Sequence, residues 1–202
     1  MSALLNELMS WFEYIIFRLP GRIGSRLRSA YFSYRSENSS SRVGFFTGTY
    51  LEGMQNMTLS EGVAFGAGCM LYSETGKLIV GGNSKFNSGV ILGADGGAIN
   101  IGRDVLVGPN VVMRASNHCF KKSPRVPIVT QGHEYGKITI GNDVWIGANV
   151  TILAGTEVGN HCIIGAGAVV NGKIDSCSVA VGVPAKVIRK LNDSEGMQNE
   201  IE

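Results

Sequence analysis

One histidine, His118, lies where a regular sequence pattern gives way to an irregular segment. A neutral imidazole can accept a proton at physiological pH and return it later in the same reaction, which is the work of a general base. The chain contains no Ser-His-Asp arrangement and no Gly-X-Ser-X-Gly elbow, so a covalent serine intermediate is not indicated. Spacing alone leaves two interpretations of His118 open, a catalytic base and a structural side chain.

The other potential ligands and nucleophiles are sparse. His161 lies within a regular unit and is predicted to be a solvated outward residue, whereas His133 belongs to the irregular segment and either packs locally or lines a site. With only 3 His in the chain, we expect no multi-histidine metal site. The 4 Cys form no Cys-X-X-Cys pair, so we expect reduced and mostly buried thiols in a cytosolic protein.

A period of six residues organises positions 140–170. A branched apolar residue opens each unit: Ile140, Ile146, Ile152, Val158, Ile164 and Val170. A helix needs apolar spacing of three and four and an isolated strand needs two, so neither fits. The pattern is typical of a parallel β-solenoid, in which each side of a triangular coil is one hexapeptide long. A Gly follows in four units, and we expect it at the corners because Gly adopts positive φ without steric cost.

The same rhythm extends towards the N-terminus, with interruptions. The residues in phase are Leu59, Phe65, Leu71, Val80, Phe86, Leu92, Ile101, Val107 and Met113. The steps from 71 to 80 and from 92 to 101 are longer than six, which predicts insertions 73–75 and 93–97 at one corner of the solenoid. After Met113 the period is lost until Ile140, so an extruded loop of about twenty residues is expected, and such loops are uncommon unless they have a function.

The N-terminal segment has a different character. Residues 1–33 carry apolar side chains at helical spacing, interrupted by Pro20-Gly21, and residues 1–42 contain six Arg and three Glu. We expect a helical cap over the open end of the solenoid; the alternative is an amphipathic helix on an anionic membrane surface. No signal peptide or membrane-spanning stretch is recognised.

Composition limits the function classes. Gly accounts for 28 of 202 residues against 5 Pro, a turn-rich bias unlike that of disordered or collagen-like chains. The formal net charge of +2 argues against binding to nucleic acid through bulk electrostatics. We therefore predict three parts: a helical cap and linker at 1–42, a β-solenoid at 43–185 with a loop at 115–139, and a basic segment and tail at 186–202.

Three segments carry a resemblance to a known family. They are 111–120, which contains Asn117-His118; 138–147, which contains Asp-Val-Trp-Ile-Gly; and 181–189, which contains Gly-Val-Pro-Ala. Together with the six-residue period, these segments resemble the hexapeptide-repeat acyltransferases over residues 44–191. The resemblance is strongest to the galactoside, maltose and surface-polysaccharide O-acetyltransferases. Segment 18–24 also resembles the N-terminus of lipopolysaccharide-type members.

The resemblance implies a fold, an assembly and an activity. It implies an all-β fold, a left-handed parallel β-helix, assembled as a homotrimer with acetyl-CoA in a groove between two subunits. It implies that acetyl is transferred to a sugar hydroxyl, with His118 as the base and Asn87 beside the thioester. Asp95 lies near a position where the family has an acidic substrate contact. We also predict that Asn117, next to His118, and His133, in the irregular segment, contact the acceptor. The residues implied to bind acetyl-CoA are Trp145, Ala148, Ala166, Asn171, Lys173, Lys186 and Arg189, although the family's Thr-Lys pair is here Asn171-Gly172-Lys173, which displaces the lysine by one.

Two alternatives stay open at this point. One is N-acetylation of a nucleotide-linked amino sugar, for which the same histidine and groove would serve. The other is a non-catalytic or metal-binding solenoid; the metal-binding form would need three histidines placed to hold one zinc ion between subunits. For the acetyltransferase we expect no required metal and a cytoplasmic location, with residues 1–33 as the part that could meet the inner face of the membrane.

Overall fold

A computed structural model of the chain describes residues 3–36, 38–40, 42–120 and 125–191. Two helices come first, α1 (Ala3–Arg18) and α2 (Gly21–Arg35). They are separated at Pro20-Gly21, where Gly21 has a φ of 71°, so the predicted helical segment and its break are confirmed. The predicted tail, 193–202, lies outside the described residues.

Short strands joined by tight turns follow along the remaining described chain. In chain order they are β1 (Gly44–Phe45), β2 (Tyr50–Glu52), β3 (Met57–Leu59), β4 (Ala64–Phe65), β5 (Met70–Tyr72), β6 (Lys77–Val80), β7 (Lys85–Phe86), β8 (Ile91–Gly93), β9 (Ala98–Ile101), β10 (Leu106–Val107), β11 (Val112–Arg114), β12 (Ser116–His118), β13 (His133–Tyr135), β14 (Lys137–Ile140), β15 (Trp145–Ile146), β16 (Thr151–Ile152), β17 (Glu157–Val158), β18 (Ile163–Ile164), β19 (Val169–Val170), β20 (Lys173–Ile174), β21 (Ser178–Val181) and β22 (Lys186–Lys190). Two short 3-10 helices, Met54–Asn56 and Ile128–Thr130, complete the set.

The strands form three parallel sheets, the sides of a triangular solenoid. Side A has the order β1-β4-β7-β10-β15-β18-β21-β22, side B contains β2, β5, β8, β11, β16 and β19, and side C contains β3, β6, β9, β14, β17 and β20. Within these three sheets, as far as the structure describes them, the last strand of side A, β22, is the one that runs antiparallel to its neighbour. We call the turns between the sides the AB, BC and CA corners. The predicted parallel solenoid is confirmed.

The core is the stack of inward side chains. The predicted residues Ile140, Ile146, Ile152, Val158, Ile164 and Val170 are all buried. The two predicted insertions meet at the BC corner, where Glu74 N donates to Asp95 Oδ1 at 2.9 Å and Gly96 N donates to Thr75 Oγ1 at 3.0 Å. In the expected ragged last coil, Ala180 rather than Val179 is the buried residue.

The expectation that the repeated glycines turn the corners by positive φ is wrong. Positive φ falls instead on residues such as Asp143, Asn149 and His161, with values of 51–57°. Gly147 is needed because the next coil lies too close: a Cβ there would lie 2.6 Å from the backbone nitrogen of Ala166. The glycine therefore permits close stacking of coils.

The N-terminal helices cover the first coil. Phe32 on α2 is fully buried and its ring centroid lies 5.0 Å from that of Phe45, which begins an inward aromatic stack with Phe65 and Phe86. Arg28 is buried and its guanidinium donates to backbone carbonyls of Phe45, Ile16 and Leu19. Arg28 therefore joins α1, α2 and the first coil of the solenoid.

Candidate active site

His118 lies on a hairpin that extends from the BC corner. Strands β12 and β13 pair antiparallel, with Asn117 opposite Glu134 and His118 opposite His133. The two imidazole ring centroids are 4.4 Å apart, and both histidines are exposed. The loop thus has a regular base, and the solenoid resumes at Lys137, three residues before the predicted boundary, because β14 pairs with β9 from that residue.

The hairpin is held against the turn that contains Asp95. A Cβ on Gly96 would lie 2.0 Å from the Tyr135 ring, so the ring packs directly on the glycine backbone. Ala115 N donates to Gly93 O at 2.8 Å at the base of the hairpin. Asp95 is half-buried and its Oδ1 accepts from Glu74 N. The BC corner therefore brings together four predicted site residues: Asp95, Asn117, His118 and His133.

Asn87, Ala148 and Ala166 form a second group at the AB corner. Asn87 N donates to Val107 O, and the same bond recurs one coil further on from Gly108 and then from Gly147, so Asn87 and the Gly147-Ala148 turn lie in one column. Asn87 is exposed, and its Oδ1 accepts from Ser88 N at 2.7 Å. That bond uses the amide oxygen in the turn. The NH₂ group is a donor and can serve a ligand.

A groove of about 580 Å³ runs along side A beside this column. Trp145 lies on its wall with 55% of its surface exposed. The groove is also lined by residues that sequence reasoning missed: Phe46, Lys85, Ser88 and Leu106. The strand register identifies Lys85 and Leu106 as groove residues, because it places Leu106 between Lys85 and Trp145 on neighbouring strands. Motif matching could not supply that register.

The thiol beneath Asn87 is not a nucleophile candidate. Cys69 is fully buried and its Sγ donates to Asn87 O at 3.2 Å. Burial raises the pKa of the Cys69 thiol, so the reactive thiolate is disfavoured. Cys69 is therefore a core side chain beneath Asn87 and not part of the reacting groups.

Within one chain the two corners do not meet. Asn87 follows a side A strand, whereas His118 follows a side B strand, and the full width of side B separates them. That side spans about six residues, or roughly 20 Å at 3.3 Å per residue. A hydrogen bond bridges only about 3 Å, so one subunit cannot present both groups to the same reacting atom.

The predicted basic contacts fall on two sides. Lys186 and Arg189 are exposed on β22, at the end of the sheet that carries Trp145. Asn171 lies at the BC corner and Lys173 on side C, where its Nζ is 3.4 Å from Asp175 Oδ1. Only the first pair shares the side A face with the groove.

The third histidine lies apart. His161 is exposed at the CA corner, and its Nδ1 is 2.9 Å from Asp143 Oδ2. Across the described ranges, no group of three or more His, Cys, Asp or Glu side chains is placed to hold a metal ion. Within one chain His118 and His133 are neighbours, whereas His161 lies at a different corner from both.

Comparison with known proteins identifies relatives. Residues 137–172 match the model of the bacterial transferase hexapeptide (six repeats). The protein named lipopolysaccharide biosynthesis O-acetyl transferase WbbJ of Escherichia coli strain K12 is 37% identical over 147 residues, which cover 68% of this chain and 70% of that protein.

Solved structures share the fold. A galactoside acetyltransferase in complex with coenzyme A has a TM-score of 0.63 at 26% identity, over 97% of this chain and 86% of that chain. An N-acyltransferase, AntD from Bacillus cereus, was solved with coenzyme A and dTDP-4-amino-4,6-dideoxyglucose; it has a TM-score of 0.71 at 18% identity, over 84% of this chain and 91% of that chain.

Proposed function

Because the chain belongs to the hexapeptide-repeat acetyltransferases, we propose that it transfers acetyl from acetyl-CoA to a hydroxyl of a sugar destined for a cell-surface polysaccharide. The observation that carries this proposal is the exposed His118, which lies across from His133 on a hairpin whose Tyr135 packs on Gly96, the neighbour of the half-buried Asp95. A hydroxyl acceptor needs a base at such a point, and an imidazole suits neutral pH. The name of the WbbJ relative, which refers to lipopolysaccharide biosynthesis, supports the choice of a cell-surface polysaccharide as the destination of the acetylated sugar.

The described residues fit acetyl-CoA, which supplies an acetyl group activated as a thioester. The open groove offers the half-exposed Trp145 as an apolar wall. The turns at Ala148 and Ala166 offer backbone groups for amides of the pantetheine arm. Lys186 and Arg189 on the exposed strand β22 supply positive charge for phosphates, which bind well to such charge-assisted donors. We place Asn171 and Lys173 on the other wall, contributed by a neighbouring subunit.

Different side chains of the protein transfer the proton and stabilise the negative charge that develops during the reaction. His118 accepts the proton of the acceptor hydroxyl as that oxygen attacks the acetyl carbonyl carbon, and it returns the proton to the departing sulfur. The Asn87 NH₂ group donates to the carbonyl oxygen as negative charge develops there, an effect worth about 3 kcal/mol in comparable sites. Asp95, Asn117 and His133 hold the acceptor beside His118.

A second subunit completes the site. His118 and Asn87 lie at different corners of one prism, so both serve one reaction only if the BC corner of one copy faces the AB corner of another. A closed ring of three copies repeats this contact three times, since each copy offers one corner of each kind. Ring closure alone does not set the number of copies; we propose three, the number that the family resemblance implies, and hence a homotrimer with three sites.

The N-terminal helices provide a candidate contact with the membrane surface. On α1, Leu8, Trp11, Phe12 and Ile15 follow helical spacing and are 49–61% exposed. Arg22 and Arg26 are exposed at the start of α2, and such a combination favours an anionic lipid surface.

Searched over its described residues, the chain has no helix suited to spanning a bilayer. We place the enzyme in the cytoplasm, in contact with the inner face of the membrane. Flotation with anionic liposomes tests the contact, and equal flotation of a chain lacking residues 1–33 would contradict it.

Thiol release tests the transfer. The protein is incubated with acetyl-CoA and a panel of sugars, nucleotide sugars and envelope polysaccharides. We expect release with at least one acceptor, and a loss of about 10²–10⁴-fold in His118→Ala. His161→Ala is the matched control, because it removes an exposed imidazole at another corner, and it should retain activity. Near-normal turnover by His118→Ala would contradict the assignment.

The chemical stability of the acetylated product distinguishes N-acetylation from O-acetylation. The fold shared with AntD supports keeping an amino-sugar acceptor in the panel. Mild alkali removes an O-acetyl ester and leaves an N-acetyl amide intact. We expect an alkali-labile product, and a stable one would establish N-acetylation instead.

A further inference from the structure

The N-terminal half of the side A groove is a hollow with a floor of small residues. Ala64 lies on the floor, in register between Gly44 and Lys85 on neighbouring strands. Gly66 lies beside it at the AB corner, where a Cβ would lie 2.7 Å from the backbone carbonyl carbon of Asn87. Small residues at these two positions leave room for a ligand above them.

An aromatic ring bounds this hollow at its N-terminal end. Phe46 lies on the wall with 61% of its surface exposed. It precedes Gly66 and Asn87 in one column of the AB corner, and two coil spacings amount to about 10 Å. The exposed ring offers an apolar surface on which the apolar face of a sugar ring can pack.

Lys85 brings a positive charge to the other end of the hollow. Its side chain is exposed, and its Nζ donates to Gly62 O. An ammonium group has three donors, so two remain for a ligand, and a carbonyl oxygen does not neutralise the charge. Within the described ranges, no carboxylate forms an ion pair with Lys85. The hollow therefore combines an apolar wall with one uncompensated cation.

This cation lies close to the proposed oxyanion donor. Lys85 and Asn87 flank the buried Phe86, so both side chains leave the outer face of side A. Their Cα atoms are two residues apart along the chain, which is at most about 7 Å. An anion held by Lys85 therefore belongs to a molecule that reaches the reacting centre at Asn87.

The acetyl donor does not account for the charge of Lys85. Lys186 and Arg189, the proposed phosphate contacts, lie on β22. That strand is five strands from β7 on side A, or about 24 Å by strand spacing. The pantetheine arm that would extend between the two levels is uncharged. The ammonium at the thioester end is thus left for the acceptor.

We infer that the hollow bounded by Phe46, Ala64 and Lys85 receives the acceptor, and that Lys85 selects a sugar with an anionic group, a carboxylate or a phosphate. The inference rests on the proposed function, because transfer at Asn87 gives the hollow its role. In the proposed trimer the AB corner faces the hairpin of a neighbouring copy, so His118 approaches the same sugar from the opposite wall. Lys85 is a specificity-determining residue and takes no part in the proton transfer.

Initial rates with matched pairs of acceptors test the role of Lys85. The pairs are glucuronic acid with glucose, galacturonic acid with galactose, and glucose 1-phosphate with methyl glucoside. We expect the wild type to have a KM about tenfold lower for the acidic member of at least one pair, the effect of one charge-assisted hydrogen bond. The pair that shows this preference distinguishes a carboxylate from a phosphate.

Variants of the cation separate its charge from general effects on the enzyme. Lys85→Gln should lose most of the preference while its KM for acetyl-CoA stays unchanged, whereas Lys85→Arg should retain the preference. Arg42→Gln is the control, because it removes an exposed cation that lies beside Glu61, outside the groove. It should leave the KM for both substrates unchanged.

Binding without acetyl-CoA separates the subsite from the reaction. Saturation-transfer NMR with the same sugars should show stronger binding of the acidic member by the wild type and a loss of this binding in Lys85→Gln. Ala64→Leu should fill the hollow, so that binding of the acidic sugar falls while binding of acetyl-CoA is retained.

Several results would overturn the inference. They are equal binding and equal KM for acidic and neutral sugars, no binding of any acidic sugar, or an unaltered preference in Lys85→Gln. A loss of kcat in Lys85→Gln that is equal for every acceptor would place Lys85 at the thioester instead. A change of oligomer mass in Ala64→Leu would assign the hollow to the hairpin of a neighbouring copy. Lys85-dependent binding of acidic sugars without thiol release would support the subsite and contradict the proposed transfer, and thiol release without a charge preference would do the opposite.

Discussion

Replacing Arg28 by Met should release the N-terminal helices from the solenoid. The side chain is 1% exposed, and its donors lie 2.9 Å from Phe45 O, 3.1 Å from Ile16 O and 2.6 Å from Leu19 O. Burial lowers the pKa of the guanidinium, an indication of the desolvation that opposes these bonds. Met retains the apolar stem but leaves the carbonyls without their charged donor.

The expected cost follows from this geometry. Hydrogen bonds from a charged donor contribute about 1.5–3 kcal/mol each, and desolvation of the cation offsets part of their sum. We expect a net loss of about 3 kcal/mol in docking of the helices, which raises the population of the undocked form about a hundredfold.

Native-state hydrogen exchange measures this loss directly. Amides of α1 and α2 should lose protection in Arg28→Met, while amides of the distant strands β15 and β18 should keep theirs. Arg26→Met is the matched control, because Arg26 is exposed on the same helix. Unchanged protection of both helices in Arg28→Met would refute the view that this side chain joins the cap to the first coil.

Three further changes test the packing and the groove. Gly147→Ala should destabilise the solenoid by about 1–3 kcal/mol in thermal or denaturant unfolding, because a Cβ would lie 2.6 Å from Ala166 N and overpacking carries that cost; Gly44→Ala, with its nearest contact at 3.4 Å, should be nearly neutral. Burial, and then Glu13, raise the pKa of Tyr31 to about 12. The unfolded tyrosine ionises near pH 10, so its stabilising contribution should decline between about pH 10 and pH 12 by on the order of 1 kcal/mol per pH unit; Tyr31→Phe should lack this slope. Trp145→Ala should raise the KM for acetyl-CoA about tenfold with little change in kcat, the pattern of lost ground-state binding; an unchanged KM would contradict a place for Trp145 in the groove.

The solenoid could be predicted from the sequence because its core obeys a strict period. Each inward residue, such as Ile146 or Ile152, repeats the environment of the residue one coil away, so local spacing determines burial. The role of the glycines could not be predicted in the same way. Gly147 is required because it lies close to Ala166 on the next coil. A rule that explains Gly by positive φ at turns therefore gives the wrong reason for its presence.

The candidate site was only partly accessible to sequence reasoning. Motif resemblance found His118, Asn87 and Trp145 as single residues. A motif does not state at which corner a residue lies; that follows from counting the six-residue units and their insertions, and the strand order then places His118 and Asn87 at different corners. Motif resemblance also missed Lys85, whose place in the groove follows from pairing of β7 with β10.

Complementation between two inactive variants tests the intersubunit site most directly. His118→Ala and Asn87→Ala are each expected to lose most transfer as pure proteins. Co-expressed in equal amounts, they should assemble mixed trimers in which about a quarter of the interfaces pair an intact His118 with an intact Asn87. We predict that thiol release by this mixture recovers to about a quarter of the wild-type rate. A mixture no more active than the two variants measured separately would contradict a site built from two chains.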